Sequence, residues 1–326
     1  MASMYRHSLV ILVVLALGSP NLGAAKYAGD PFSLGVGARA LAMGGAVAAG
    51  PFDGTAAYWN PAGMNLLEGR HLTAMHAETF GSLLNHDFAA YTNSRVRANS
   101  FIHSFGFYVY YLGGGGIKIT KLNEFERPYV LREESHGDYL LAAAVGGRIA
   151  GKIDFGITFK IIYRDIGPVS GKGLTVDAGL LYQPRAYLRL GLMVTDITTG
   201  FIRYPSYTGE GFQTSGSTES IYPTIKPGLL LEHTHRDFTG RFAAAGDVKF
   251  ENLGEAAQLS AGSASLDGHF GCEIDYRGMV FGRLGFDMGR FTTGVGIDVS
   301  KLTVDLAYLH HSDLDETFRV SAEYSW

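Results

Sequence analysis

The chain has 326 residues, among them 44 glycines, 20 phenylalanines and 18 tyrosines, and its formal net charge is −4. Helices disfavour this combination of glycine and aromatic residues, whereas strands and tight turns accept both. The net charge is close to neutral, and the sequence contains no block of basic residues, so nucleic acid is not an expected partner.

The first residues have the layout of a secretory signal peptide. A short basic region precedes an apolar run from Leu9 to Leu17, and small residues ending at Ala25 follow it. The run is well short of the roughly 20 residues that a membrane-spanning helix needs. We therefore predict a signal peptide at residues 1–25 and a mature chain that leaves the cytoplasm.

Residues 26–69 form a glycine- and alanine-rich segment that contains the stretch AAYWNPAGM at 56–64. The Asn60-Pro61 step favours an extended or turn conformation in any protein. Residues 35–50 are too small for a lipid-facing strand, but small residues allow close packing against other structure. We expect Asn60 to hydrogen-bond backbone or charged groups and Pro61 to fix the turn into the first strand.

Beyond residue 70 the chain repeats one unit, a run of period-two alternation followed by a turn rich in glycine, aspartate, asparagine or lysine. An even number of such long antiparallel strands favours a closed barrel over a sandwich. We predict fourteen strands, at residues 70–80, 84–93, 100–112, 136–149, 152–165, 172–183, 187–197, 223–234, 237–250, 267–277, 279–287, 290–299, 301–311 and 316–326.

The alternation sorts apolar from charged residues. In 152–165 the charges lie on one face, and the other face carries Ile153, Phe155, Ile157, Phe159, Ile161 and Tyr163. Period two alone also fits a soluble sandwich with the apolar face inside. Fourteen strands of about eleven residues, however, enclose a lumen too wide for a soluble core to fill, and they suit a bilayer. We predict an all-β fold, a transmembrane antiparallel barrel formed by 70–326.

The charged residues on the face opposite the apolar one are expected to face the lumen. They carry both signs, which fits either a polar conduit or mutual pairing, and we favour pairing because mixed charge in a lumen need not conduct. These residues are Asp154, Lys160, Arg164, Asp177, Arg189, Arg241, Asp247, Glu273, Arg283, Asp298, Asp305, Arg319 and Glu323.

The lengths of the connections support the barrel. The three longest, at 113–135, 198–222 and 251–266, fall on the same side of the predicted wall, as expected of extracellular loops. The aromatic residues Tyr204, Tyr207 and Phe212 in the second loop are candidates for contact with a partner. The chain ends on the opposite side in Trp326, and we predict that this terminal aromatic is an insertion signal read by the barrel-assembly machinery.

Residues 31–63 resemble the start of the mature PorV/PorQ family of outer-membrane proteins, which are relatives of the FadL/TodX channels. The resemblance implies a fourteen-stranded barrel whose residues 26–69 fold into the lumen as a hatch, or plug, with Trp59 as a packing anchor. The motif residues are Gly37, Arg39, Met43, Gly44, Gly45, Tyr58, Trp59, Asn60, Pro61, Ala62 and Gly63.

Two functions follow from the resemblance. The first is a secretion-associated barrel of the bacterial outer membrane, which binds a type IX translocon or a cargo protein at its rim. The alternative is a FadL-like channel for hydrophobic small molecules such as long-chain fatty acids. The resemblance favours the first. The sequence contains no nucleophile elbow and no metal signature, so we expect no enzyme activity, no cofactor and no metal site.

Overall fold

The computed structural model describes residues 30–79, 83–94, 101–209, 212–250, 257–310 and 316–326. Fourteen strands form the wall of a closed antiparallel barrel, which confirms the predicted fold class. Each wall strand pairs with the next, and the last pairs with the first, which closes the ring. The wall strands are β1 (Arg70–Thr79), β2 (Leu84–Asn93), β3 (Ile102–Leu122), β4 (Pro128–Ile149), β5 (Ile153–Ile166), β6 (Val169–Arg185), β7 (Leu188–Thr195), β8 (Thr224–His235), β9 (Phe238–Lys249), β10 (Ala264–Tyr276), β11 (Val280–Asp287), β12 (Arg290–Val299), β13 (Leu302–Leu309) and β14 (Thr317–Ser325).

The lower end of the barrel is the end at which β1 begins, and the upper end is the end at which β1 finishes. At the lower end, Trp326 and Arg70 exchange two backbone hydrogen bonds of 3.0 Å. The indole ring of Trp326 contacts the rings of Tyr324 and Tyr91, with centroid distances of 5.4 and 6.3 Å. The predicted signal peptide lies outside the described residues.

Strands β3 and β4 continue through most of residues 113–135, so the loop predicted there is wrong. Pairing of β3 with β2 ends at Gly113, and pairing of β4 with β5 ends at His136. The upper part of this strand pair therefore stands above the rest of the wall. Alternation failed to reveal it because four consecutive glycines interrupt β3, and glycine has no side chain to place on either face.

The connection between β7 and β8 also contains strands, so the loop predicted at 198–222 is wrong in its larger part. Two of these strands, Gly200–Tyr204 and Ser217–Ile221, pair with each other, and the first also pairs with β6, so they continue the wall upward. The strands Tyr207–Gly209 and Phe212–Thr214 form a separate hairpin. Within the loop predicted at 251–266, Leu259–Ala261 pairs with β10. Strands of three to five residues are too short for alternation to be recognised in the sequence.

The outward face of most wall strands is apolar, although His76 and Asp87 form an exposed ion pair between β1 and β2. On β5 the outward side chains from Ile153 to Ile161 are all apolar, and Phe159 is 56% exposed. The ten residue-to-residue steps from Ile153 to Tyr163 rise about 33 Å along the strand, or about 25 Å at the usual tilt, which matches the lipid-facing band of membrane barrels. None of the helices in the described part of the chain is long and apolar enough to cross a bilayer.

The inward face differs between two sectors of the wall. In the apolar sector, β1 to β4, the large inward apolar side chains belong to one hydrophobic cluster that includes Phe88, Tyr108, Tyr110 and Leu140. In the charged sector, β9 to β14, buried ionisable side chains dominate, and Glu273, Arg283, Asp305 and Arg319 are examples. The apolar sector was not predicted, because on β3 and β4 both faces carry apolar residues and charge does not distinguish the inward face.

The N-terminal segment, residues 30–66, forms short helices that contact both sectors. Ala38–Ala42 contacts β11 to β14, whereas Pro61–Leu66 contacts β3 to β6. Asp30–Phe32 and Ala56–Trp59 are the other two helical turns. The segment therefore joins opposite sides of the ring through the buried face of the wall.

Candidate functional site

The Asn60-Pro61 turn fixes one end of the N-terminal segment. Asn60 caps the helix Pro61–Leu66, because its Oδ1 accepts a hydrogen bond from the backbone N–H of Ala62 at 3.1 Å. Its Nδ2 donates to the carbonyl oxygen of Ala48 at 2.7 Å and, at 3.5 Å, to that of Leu180 in β6. The side chain is fully buried. One amide thus ties the turn both to the segment and to the wall.

The wall has glycine where this turn approaches it. A Cβ at Gly179 would overlap the amide oxygen of Asn60, and a Cβ at Gly156 would overlap the backbone of Pro61. Both glycines lie on the inward face, on β6 and β5. The motif residues Ala62 and Gly63, next in the chain, are buried as well.

The aromatic pair before the turn packs toward the apolar sector. The ring of Tyr58 lies 6.0 Å from that of Tyr108 and 6.5 Å from that of Tyr110, and its hydroxyl donates to the carbonyl of Phe32 at 2.7 Å. The Nε1 of Trp59 donates to the carbonyl of Val36 at 2.9 Å. Aromatic packing together with a few hydrogen bonds therefore holds the segment on this side.

The glycine-rich part of the motif packs tightly on the charged sector. Met43 is fully buried, and Gly44 and Gly45 follow the helix Ala38–Ala42 with positive φ angles of 63° and 74°. A Cβ at Gly44 would lie 2.5 Å from the carbonyl oxygen of Phe286 and 2.6 Å from that of Phe270. Only glycine fits between these two wall strands at that backbone angle.

Arg39 joins the segment to the charged sector by a bidentate ion pair. Its Nη2 and Nε donate to Glu273 at 2.7 and 2.9 Å. Glu273, whose side chain is fully buried, also accepts from Arg241 at 2.8 Å and from Arg283 at 2.6 Å. Arg283 in turn donates to Asp305 at 2.5 Å. A single carboxylate thus serves three guanidinium groups, two from the wall and one from the N-terminal segment.

Most of the other predicted lumen charges also bond within the wall or to the segment. Lys160 pairs with Asp177 at 2.6 Å, and Glu323 accepts from the backbone N–H of Gly54 at 2.6 Å. Further contacts of this kind join Arg164 to Asp138, Asp154 to Arg148, Asp247 to Lys226, Arg189 to the carbonyl of Ala49, and Asp298 to Thr303.

A pocket of about 250 Å³ lies at the upper end between the segment and the wall. This upper pocket is lined by apolar side chains of the segment, including Leu34, Leu41 and Trp59, and by charged side chains at the upper ends of β8 to β12 and on β14. Within it Lys226 pairs with Asp247 at 2.6 Å and His269 with Asp287 at 3.0 Å, so one side is polar and the other apolar.

Arg319 lines the upper pocket without an acidic partner. Its side chain is buried, and within the described part of the chain no carboxylate lies within 4.0 Å of its nitrogens. Its terminal nitrogens donate weakly to the carbonyls of Gly37 and Leu34, at 3.5 and 3.3 Å, and its Nε has no partner among the described residues. The pocket thus contains a guanidinium with unused donor capacity.

Comparison with solved structures relates this barrel to hydrocarbon channels. The CymD monoaromatic hydrocarbon channel superposes with a TM-score of 0.56 and 12% identity, over 90% of this chain and 98% of that one. The toluene transporter TodX of Pseudomonas putida gives 0.53 and 12%, over 89% and 98%. The chain has the fold of these channels.

The sequence itself matches no model of a known protein family and no curated protein. The match to the channels therefore rests on shape, and at 12% identity it extends to the channel fold and not to the residues that act within it. The resemblance of residues 31–63 to the PorV/PorQ family stays a prediction.

The sequence reasoning missed two parts of this site. Lys226 and His269 line the upper pocket but were not among the predicted lumen charges. The inward position of His269 could have been predicted, because His269 lies four residues before Glu273 on an alternating strand and therefore on the same face. Tyr204, predicted as a surface contact, is instead buried on the inward face and belongs to the hydrophobic cluster. Within the described part of the chain, no group of histidine, cysteine and carboxylate side chains is arranged to hold a metal ion.

Proposed function

We propose that the protein is a bacterial outer-membrane channel for small hydrophobic molecules, with its upper end toward the cell exterior and residues 30–66 as a plug. The observation that carries the proposal is the upper pocket, which opens where the N-terminal segment meets the wall and offers an apolar side formed by Leu34, Leu41 and Trp59. The channel fold supports it, since the matching structures are described as a hydrocarbon channel and a toluene transporter.

In this proposal a solute binds first in the upper pocket, which lies against the charged sector, and then passes along the apolar sector. Parting the segment from the charged sector would break the pair of Arg39 with Glu273, and leaving the largely buried guanidinium of Arg39 unpaired costs about 3–5 kcal/mol. Parting Tyr58 from Tyr108 and Tyr110 exposes apolar surface that a hydrophobic solute covers again. A hydrophobic molecule therefore offsets much of the cost of its own passage, whereas an ion does not.

Two substrate types match the chemistry of the upper pocket. Neutral aromatic hydrocarbons need only the apolar side around Trp59. Long-chain fatty acids use the same side and bring a carboxylate, which Arg319 accommodates with its unused donor capacity. We propose both, and competition between them in one assay ranks them.

The secretion-associated function that the resemblance favours has less support. Of the three aromatic residues that suggested partner contact, Tyr204 lies in the hydrophobic cluster and is not available at the surface. The described residues offer no other observation that selects a translocon or a cargo protein. A mild-detergent pull-down tests this function, since recovery of a translocon or cargo without any bound hydrophobic molecule would support it.

Ligand binding can be followed by tryptophan fluorescence. The chain has two tryptophans, Trp59 in the upper pocket and Trp326 at the lower end, so Trp326→Phe leaves a single reporter at the proposed site. Toluene and oleate should change the emission of this variant saturably, and glucose should not. Trp59→Phe is the matched control, which keeps only the distant tryptophan and should report no saturable change.

Uptake completes the test. Cells that lack their own hydrophobic-compound channel should take up radiolabelled toluene or oleate faster when they express this protein. The proposal fails if neither compound binds saturably and neither is taken up faster by cells in which the barrel is correctly inserted.

A further inference from the structure

A row of tyrosines marks the level of the membrane surface on the outward face near the upper end. Tyr111, Tyr139 and Tyr163 are direct cross-strand neighbours on β3, β4 and β5. Their ring centroids lie 5.0 and 5.9 Å apart along the row. Because aromatic girdles of membrane barrels lie at the boundary between hydrocarbon and headgroups, this row identifies that boundary.

The same row continues with two cations. Lys172 on β6 lies opposite Tyr163, and Arg203 lies opposite Lys172. Both are exposed, and in the described part of the chain neither has a carboxylate within ion-pair distance. The nearest acids on these strands do not serve them, because Glu219 reaches Arg164 on the inward side at 3.8 Å and Asp165 lies one outward position higher on β5.

Two like charges directly opposite each other destabilise a strand pair unless an anion lies between them. The two strands that carry Lys172 and Arg203 are also joined by few contacts. Only three residue pairs, at Lys172, Gly173 and Leu174, join β6 to Gly200–Tyr204, so repulsion between the two cations acts on a weak junction. An anion bridging Lys172 and Arg203 would remove the repulsion and strengthen the junction.

A groove of about 1310 Å³ lies on the wall at these two cations. Its apolar lining includes Ile161, Leu174 and Phe201, which lie one outward position below the row of tyrosines and cations and are 46–54% exposed. Its polar rim includes the hydroxyl-bearing residues at the base of the hairpin that follows Tyr204. The groove is thus apolar on the hydrocarbon side and cationic on the headgroup side.

We propose that this groove binds one lipid of the outer leaflet through its phosphate, with the phosphate between Lys172 and Arg203 and an acyl chain along Leu174 and Phe201. Charge complementarity selects the occupant: two unpaired cations at headgroup level require an anionic headgroup, and arginine binds phosphate through two parallel hydrogen bonds. The site lies outside the lumen and is independent of what the channel carries.

Native mass spectrometry of the full protein in detergent tests the site. Dioleoyl phosphatidic acid is added as the anionic probe, and dioleoyl phosphatidylcholine, whose phosphate is balanced by a choline ammonium in a zwitterionic headgroup, is the comparison lipid. We expect one molecule of phosphatidic acid to be retained more strongly than phosphatidylcholine. The double variant Lys172→Gln with Arg203→Gln should weaken that binding about thirtyfold, because each basic residue contributes about 1 kcal/mol to anionic-lipid binding.

The control is the double variant Lys118→Gln with Lys121→Gln, which makes the same change of charge on the part of β3 that stands above the wall. Its lipid binding should equal that of the unchanged protein. Equal retention of phosphatidic acid by both double variants, or equal retention of the two lipids by the unchanged protein, overturns the proposal. Resistance of the folded barrel to unfolding in detergent at room temperature, read as its gel mobility, establishes that each variant has folded.

Discussion

The apolar and charged sectors hold the same N-terminal segment by different forces. On the apolar side Tyr58 stacks among Tyr108 and Tyr110, where each contact is non-directional and a hydrophobic solute can replace it. On the charged side Arg39 shares Glu273 with Arg241 and Arg283, an arrangement that depends on direction and loses much if one partner leaves. The difference suggests a fixed side and a side that can open.

The largest expected effect is that of Glu273→Gln. The substitution leaves three guanidinium groups without their common carboxylate, and breaking a buried ion pair on one side costs about 3–5 kcal/mol. We expect the free energy of unfolding in urea to fall by that amount, with increased leakage of small ions through the barrel. Asp237→Asn is the control, because its pair with Arg277 is about half exposed and should contribute less than about 1 kcal/mol. A loss at Glu273 no greater than at Asp237 would mean that the charged sector does not fix the segment.

Gly44→Ala tests the same sector through shape alone. The new Cβ meets two backbone oxygens at 2.5 and 2.6 Å, and the backbone angle is left-handed, so we expect a loss of about 2–4 kcal/mol from the two causes together. Gly278→Ala isolates the cost of the backbone angle from the cost of the overlap, since Gly278 has a similar φ of 67° but nothing lies within 4 Å of an added Cβ. It should lose only the conformational part, about 1–2 kcal/mol. Unfolding in urea measures both losses, and similar values would show that the segment yields easily at Gly44.

The sequence predicted the wall better than the site because lipid imposes a pattern and a buried interface does not. On β5 the outward row from Ile153 to Tyr163 had to be apolar, so period two revealed both the strand and its orientation. On β3 the inward Tyr108 and Tyr110 and the outward Phe107 and Val109 are all apolar or aromatic, so the sequence could not assign its faces. The apolar sector was hidden for that reason.

For a related reason, the sequence could not predict which charged residues form ion pairs with one another. Arg39 and Glu273 are separated by 234 positions, and nothing local in either strand or segment selects one as the partner of the other. The charge at Glu273 was predicted to face inward from its parity alone. Its three arginine partners follow only from the closure of the ring and from the path of residues 30–66 across it.

Asn60→Ala has an intermediate expected effect, because Asn60 lies at the junction with the wall rather than within the ion network. The variant loses the cap of the helix Pro61–Leu66 and leaves the carbonyl of Ala48 without its amide donor. We expect a loss of about 1–3 kcal/mol in urea unfolding. Gln183→Ala, which removes an exposed amide, is the control and should change stability by less than about 0.5 kcal/mol. Equal effects would show that the buried turn does not depend on this side chain.

The smallest effect is expected at Asp53, a carboxylate that the N-terminal segment itself brings near the charged sector. Burial, and then the nearby carboxylate of Glu323, raise the pKa of Asp53 above its ordinary value of 3.8. A raised pKa in the folded state means that the contribution of Asp53 to stability is fully present below pH 3.8 and is lost as the pH rises through the folded pKa.

Asp53→Asn should therefore be more stable than the unchanged protein at pH 7, and the difference should vanish as the pH falls below the ordinary value. The Asn Oδ1 can still accept the two hydrogen bonds from Thr55, of 2.9 Å from its N–H and 2.5 Å from its hydroxyl, so the turn keeps its geometry. Urea unfolding of both proteins across this pH range measures the difference. If the variant is less stable at pH 7, the charge of Asp53 is stabilising, and its attraction to Arg39 outweighs both burial and the repulsion from Glu323.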